Sequence, residues 1–227
     1  MHALPEDQIE RIEEEVVKRM VDLYKPNFQT LFFDTTNFFT FIDSTNERCT
    51  IAKRGKNKQK RGDLRQIGLA LVVLKQEQYP LFHKTYEGNK NNVTVFKETL
   101  GDITHRLSTI AVELADITLV FDKGNNSKEN FALLDAEESL HYVGSLVPLH
   151  FKALIQEANQ NMSPITINDK EVLAYKTTKD IWGKARTCVV FISEILKDGQ
   201  IRGILQHLRK NIKSSMSFRK YSKGKRN

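Results

Sequence analysis

Cysteine is nearly absent: Cys49 and Cys188 stand far apart in 227 residues, with no Cys-x-x-Cys or Cys/His spacing around either. That excludes a disulfide framework and a zinc site, and it suits a reducing, cytoplasmic setting. Long apolar runs are missing too. The longest, Ile67 to Leu74, contains a glycine and is far too short to span a bilayer, and the opening MHALPEDQIE has early acids and no apolar h-region. No export signal or membrane anchor is expected. There are no internal repeats. The six histidines (His2, His83, His105, His141, His150, His207) form no ligand cluster, so none is expected to bind a catalytic metal ion.

What the chain does have is positive charge, formally +7 with a sequence pI near 9.3, which favours a polyanionic partner. Its distribution is informative. In KRGKNKQKRGDLR, seven basic residues (Lys53, Arg54, Lys56, Lys58, Lys60, Arg61, Arg65) face one acid, Asp63. From Arg209 to Arg226 there are eight more basic residues and no acid. Such runs are commonly solvated or disordered, but the first interrupts a strand pattern. A composition that is 40% hydrophobic supports one good core plus an appendage.

Apolar spacing predicts a helix over 6–24, with Ile9, Ile12, Val16, Met20 and Leu23 on one face and Pro26 closing it. LFFDTTNFFTFI (31–42) reads as a strand, in which period two places Asp34 in a core-like row with Phe32, Thr36 and Phe38. Strands follow over 64–74 and 81–86, then a helix over 93–107 capped by Asn91 or Asn92. ITLVFDKG (117–124) is a buried strand ending in an acid and a glycine. A short helix capped by Ser127 or Asn126, a strand over 141–147 and a helix over 149–159 complete an α/β order with a hairpin-built first half. After Met162 the texture becomes β-rich, with a strand candidate over 185–196 and an amphipathic helix over 200–213. The end, SSMSFRKYSKGKRN, carries no folding pattern. The resulting division is 1–28 for the N-terminal helix, 29–160 for the core, 161–198 for a partial β-rich insertion and 199–227 for a helix and basic tail.

Asp34 within the first strand and Asp122 at the end of the fourth are the acids that could carry chemistry. A carboxylate beside a core strand is costly unless paired, hydrogen-bonded or metal-bound. Two of them on neighbouring strands could share divalent metal, and hard oxygen ligands suit Mg²⁺. Alone, such a pair is more often a satisfied cap or loop acid. Gly88 and Gly124 are expected to permit tight turns, and Trp182 to pack within the insertion.

Four stretches in order, FFDTTNFFTF, RGDLRQIGLALVV, PLFHKTYEGNKNN and ITLVFDKGNNSKEN, resemble the DDE transposases of bacterial insertion sequences, in the insertion-sequence-four-like group. In that family the first acid sits in a strand motif like Asp34-Thr35-Thr36, and a Lys/Arg-bearing link leads to the second strand. A Tyr-x-Gly-Asn segment ends the third strand, and the second acid opens an Asp-Arg-Gly motif after the fourth. The resemblance covers about residues 30 to 147, with Asp34 and Asp122 separated by 88 positions. It implies an α/β, ribonuclease-H-like core: a mixed five-stranded sheet flanked by helices, the first three strands antiparallel. It further implies Mg²⁺ or Mn²⁺ in a two-metal site held by Asp34 and Asp122, with double-stranded DNA, at transposon ends and target, as partner; a homodimer is allowed. Lys53, Arg54, Lys56, Lys58, Lys60, Arg61, Arg65 and Lys123 are the implied DNA contacts.

This sequence departs from the pattern at Lys123, where arginine is usual, and at Asn92, where an acid is often found. The larger departure is the third acid, a glutamate on a helix beyond the β-rich insertion, beside a tyrosine, an arginine and a later lysine. Nothing matches it: Tyr221 is followed only by SKGKRN, Glu171 and Glu194 fall in the predicted β-region, and Glu129 is too near Asp122. The expectation is a chain truncated at both ends and weakly active or inactive alone. Three readings stay open: a metal-dependent transposase, a non-catalytic DNA-binding or interaction remnant, and a ribonuclease-H-like nuclease of other purpose.

Overall fold

Aromatic and β-branched side chains crowd a helix and fit a pleat, so TLFFDTTNFFT extends as β1, Thr30–Thr40. It is the middle strand of a five-stranded sheet in a computed structural model that describes residues 5–43, 45–56, 61–110, 117–137 and 140–223. β2 (Arg65–Leu74) lies antiparallel to β1, and β3 (Pro80–Glu87) returns antiparallel along β2. On the other side, β4 (Ile117–Phe121) runs parallel to β1, and β5 (Leu140–Gly144) parallel to β4. Parallel neighbours need crossovers rather than tight turns. α2 (Asn92–Thr109) supplies the first and α3 (Lys128–Ala136) the second. The order β3-β2-β1-β4-β5, three strands antiparallel and two parallel, is the mixed ribonuclease-H-like sheet expected, flanked by helices.

Phe96 of α2, fully buried, is the wedge of this core: its ring centroid lies 5.0 Å from Phe33 and 4.9 Å from Phe121. From α3, Phe131 adds edge-on contacts at 5.9 Å to Phe121 and 5.5 Å to Tyr142. Leu31, Val72, Leu74 and Leu119 close the layer. The row expected to be core-like points the other way. Phe32 is 38% and Phe38 56% exposed, with Asp34 and Thr36 exposed between them. β1 carries aromatics on both faces, and α2 selects the face of Leu31 and Phe33.

α1 (Glu6–Tyr24) is the helix expected, but its apolar stripe of Ile9, Ile12, Val16 and Leu23 is exposed, and Val17 is the buried residue. A polar grip helps attach it. Glu13 accepts hydrogen bonds from the His83 backbone N–H (3.3 Å) and from Arg106 Nη2 (3.3 Å), and its Oε1 meets His83 Nδ1 at 2.8 Å. The Arg106 side chain is only 7% exposed, and a buried guanidinium needs such a carboxylate.

The chain divides into two compact units, Met1–Val147 and Pro148–Asn227. In the second, β6 (Ser163–Ile167), β7 (Lys170–Ile181) and β8 (Lys184–Phe191) form an antiparallel sheet, the β-rich segment expected. Both hairpins turn on two residues of positive φ, Asn168-Asp169 (49° and 60°) and Trp182-Gly183 (56° and 85°), the mirror-image turns that match strand twist. α4 (Lys152–Asn161) packs on β7, where Glu157 takes Tyr175 Oη and Lys179 Nζ, each at 2.6 Å. Trp182 stacks edge-on against Phe151, 6.3 Å between centroids, and so packs within its unit. α5 then runs from Glu194 to Lys223, longer than the helix expected over 200–213. SSMSFRKYSK is helical rather than patternless, and Glu194 lies in a first helical turn rather than in a β-region. No described helix is long and apolar enough to cross a membrane.

Candidate functional site

β1 and β4 pair in parallel through Leu31 with Leu119, Phe32 with Val120, and Phe33 with Phe121. Asp34 and Asp122 are each the next residue. Two motifs separated by 88 positions thus reach the same level on adjacent strands, and parallel register aims both side chains to the face opposite α2. Both carboxylates are exposed. Each is oriented by its own chain, with Thr35 N–H donating to Asp34 Oδ1 at 2.8 Å and Lys123 N–H to Asp122 Oδ1 at 2.7 Å. The second oxygen of each remains a free acceptor. Two carboxylates with water fit the oxygen preference of Mg²⁺ or Mn²⁺. Among the described residues no group of three or more His, Cys, Asp and Glu is placed to hold a metal ion.

The residues around the pair are built by close approach. Gly68 leaves room for the ring of Tyr86, since a Cβ on Gly68 would lie 2.1 Å from Tyr86 Cε2. Burial, and then the charge of Asp34, push the Tyr86 phenol up from its ordinary value, while the Thr35 hydroxyl opposes them. The expected turn glycine Gly88 has a second constraint: a Cβ there would lie 1.9 Å from Gln66 O. Gln66, fully buried, donates from Nε2 to Gly88 O at 2.6 Å.

On the β4 side, Asp122 caps a 3₁₀ turn, Lys123–Asn125, beside the start of α2. Asn91 caps that helix by accepting from Thr94 N–H at 2.8 Å, and a Cβ on Gly124 would approach Asn92 Nδ2 to 3.1 Å. Buried Asn130 ties the turn to the helix, donating to Asn125 O at 2.7 Å and Val93 O at 3.0 Å.

The basic residues separate into kinds. Arg54, Lys56 and Lys123 are exposed and Lys53 half-buried. Arg61 forks onto Asp63, at 2.9 and 2.7 Å, and holds that carboxyl down to about 2. Arg65 turns inward onto backbone carbonyls. Lys58 and Lys60 lie outside the described residues. Sequence reasoning singled out neither Gln66 nor Asn130. Both are buried amides, and a lone amide at the edge of an apolar run or after a helix cap was the only available signal.

No protein-family model and no curated protein matches the chain. Among solved structures, the Mos1 transposase paired-end complex with left transposon end is similar over 69% of this chain and 50% of its own, at 13% identity and TM-score 0.37. A piggyBac transposase synaptic complex with hairpin DNA is similar over 81% of this chain and 36% of its own, at 15% identity and TM-score 0.41. The Mos1 mariner paired-end complex with Mn is similar at 13% identity and TM-score 0.37, again over 69% and 50%. The chain spans half or less of the length of each of these three.

Proposed function

We propose that this chain carries the catalytic core of a DDE transposase, and that Asp34 and Asp122 hold divalent metal for phosphodiester chemistry on double-stranded DNA. The observation that carries the reading is register: the acids of two separate family-like motifs end at one level, on one face, of adjacent parallel strands. The order of the four motifs supports it, as does the placement of the Tyr-x-Gly-Asn segment at the end of β3, in the same sheet as Asp34. Bound metal would polarise phosphoryl oxygen and lower the pKa of an attacking water. The chain's own contribution is to fix one oxygen of each carboxylate by a backbone N–H and present the other. Exposed Arg54, Lys56 and Lys123 meet phosphates, positioning DNA without reading its sequence; Lys53, Lys58 and Lys60 extend the same run.

Titration of the full chain with Mn²⁺, read by paramagnetic broadening, tests the site. Loss of broadening in both Asp34→Asn and Asp122→Asn is expected; a response identical to the parent in either variant removes that residue from the site. Mg²⁺-dependent nicking of transposon-end DNA by this chain is expected to be weak or absent. The second reading, a non-catalytic DNA-binding remnant, is favoured by the lack of a third ligand among the described residues. It predicts salt-sensitive DNA binding that survives loss of both acids. Robust nicking abolished by Asp34→Asn would exclude it.

A further inference from the structure

The backbone from Asp43 to Ala52 offers a carbonyl inward at every third residue, and one side chain receives all four. Arg65, the first residue of β2, donates from Nε to Ala52 O at 2.7 Å, from Nη1 to Asp43 O at 3.0 Å and Asn46 O at 3.1 Å, and from Nη2 to Cys49 O at 3.3 Å. Two of those residues also wind the loop. Asp43 Oδ1 accepts from both the N–H and the hydroxyl of Thr45 at 2.7 Å, and Asn46 Oδ1 accepts from Arg48 N–H at 2.9 Å.

From Ile51 onward the chain is stitched to the sheet. Lys53 and Gln66 exchange backbone hydrogen bonds of 3.1 and 2.8 Å, and Gly88 N–H donates to Ile51 O at 3.1 Å. Gln66 Nε2 reaches Lys56 O at 3.4 Å. Arg54 and Lys56 stand exposed on this tied segment. A guanidinium has five N–H donors in a planar fork, and with four of them on carbonyls Arg65 cannot also fork onto a phosphate.

We propose that Arg65 is a positioning residue: its guanidinium pins residues 43 and 45–56 into a preformed lobe that offers Arg54 and Lys56 to the phosphates of duplex DNA. The partner rests on the DNA-binding reading above; the pin itself rests on the four carbonyl bonds. A lobe fixed before binding loses less conformational entropy on contact, so the pin adds affinity without adding a contact. The geometry requires arginine, because an ammonium cannot span carbonyls held by three guanidinium nitrogens.

Arg65→Lys and Arg65→Ala in the full chain, measured with a duplex of arbitrary sequence over a range of salt, separate a pin from a contact. Arg65→Lys keeps the charge, yet is expected to bind roughly three- to tenfold more weakly, with the parent's slope of log K against log salt. Arg54→Ala and Lys56→Ala each lower that slope by about 0.9. Amide exchange at Lys53, Gln66 and Gly88 speeds roughly tenfold or more in Arg65→Lys, while the β4 amides stay protected. Parent-like binding and protection in Arg65→Lys overturn the pin. So does a slope loss of about 0.9 in Arg65→Ala with unchanged protection, which marks a direct phosphate contact. If the parent binds no duplex, the DNA reading fails and exchange alone judges the pin: unchanged protection in both variants overturns it.

Discussion

On one face of the five-stranded sheet, Phe33 and Phe121 interlock with Phe96 of α2 and Phe131 of α3; on the other, Phe32 and Phe38 stand exposed in the row of Asp34, and Val143 of β5 is exposed too. The same residue type holds the fold on one side and contributes little to it on the other. The carboxylates of Asp34 and Asp122 sit exposed, where they avoid the cost of desolvation. The small sheet of the second unit repeats the asymmetry. α4 covers the face of Tyr175, Lys179 and Ile181, while Ile165, Val189 and Phe191 are open on the reverse. In both sheets a helix, rather than the hydrophobicity of the strand, decides which row becomes core.

That contrast can be broken by substitution. Phe96→Ala, at the centre of the covered face, is expected to cost about 3–5 kcal/mol in denaturant unfolding, from lost transfer energy plus a cavity. A loss near zero would mean that α2 does not hold the sheet. Asn130→Ala removes a buried donor from two carbonyls and is expected to cost about 1–3 kcal/mol, with amide exchange quickening at the Lys123–Asn125 turn.

On the covered face of the small sheet, Lys179 and the Tyr175 hydroxyl hold the Glu157 carboxyl below its ordinary value. A depressed folded-state pKa gives stability that is complete above the unfolded value of 4.5 and is lost as pH falls through the lower folded one. Lys179→Ala should flatten that acid limb in a pH series of unfolding curves; an identical limb would dismiss the pair. The smallest effects belong to the open face. Phe38→Ser and Asp34→Asn should each change stability by no more than about 0.5 kcal/mol. A large destabilisation by either would show that the open face is covered.

Element order was legible because the strand runs and the α2 stripe are strongly periodic. Which face each element buries was not. β1 has Phe32 and Phe38 in one row and Phe33 and Phe39 in the other, so alternation alone could not choose, and Asp34 was read as core-facing. In α1, the expected Ile9, Ile12, Val16 and Leu23 stripe is exposed, whereas Val17 and the Glu13 grip on His83 and Arg106 attach the helix. Glu194 was misplaced because apolar residues flank it on both sides, Val189 to Ile192 before and Ile195-Leu196 after, and the one helix-start signal between them, Ser193, was passed over.

The acids themselves could be named from their motifs. Their common level could not, since it depends on a parallel pairing formed across a crossover helix. Arg65 resembled every other cation in its run, and only the path of the loop distinguishes it.

Position 68 carries a consequence for tolerance to change. With a hydrogen for a side chain, Gly68 cuts a notch in β2, and the Tyr86 ring occupies it. A single added methyl must displace the buried phenol from its seat, and Gly68 itself lies on β2, the strand paired with the one that bears Asp34. Replaceability across this patch therefore runs against size. Substitution of the exposed Phe32 and Phe38 is expected to cost little, while a single carbon added at Gly68, on the covered face, meets the Tyr86 ring at once.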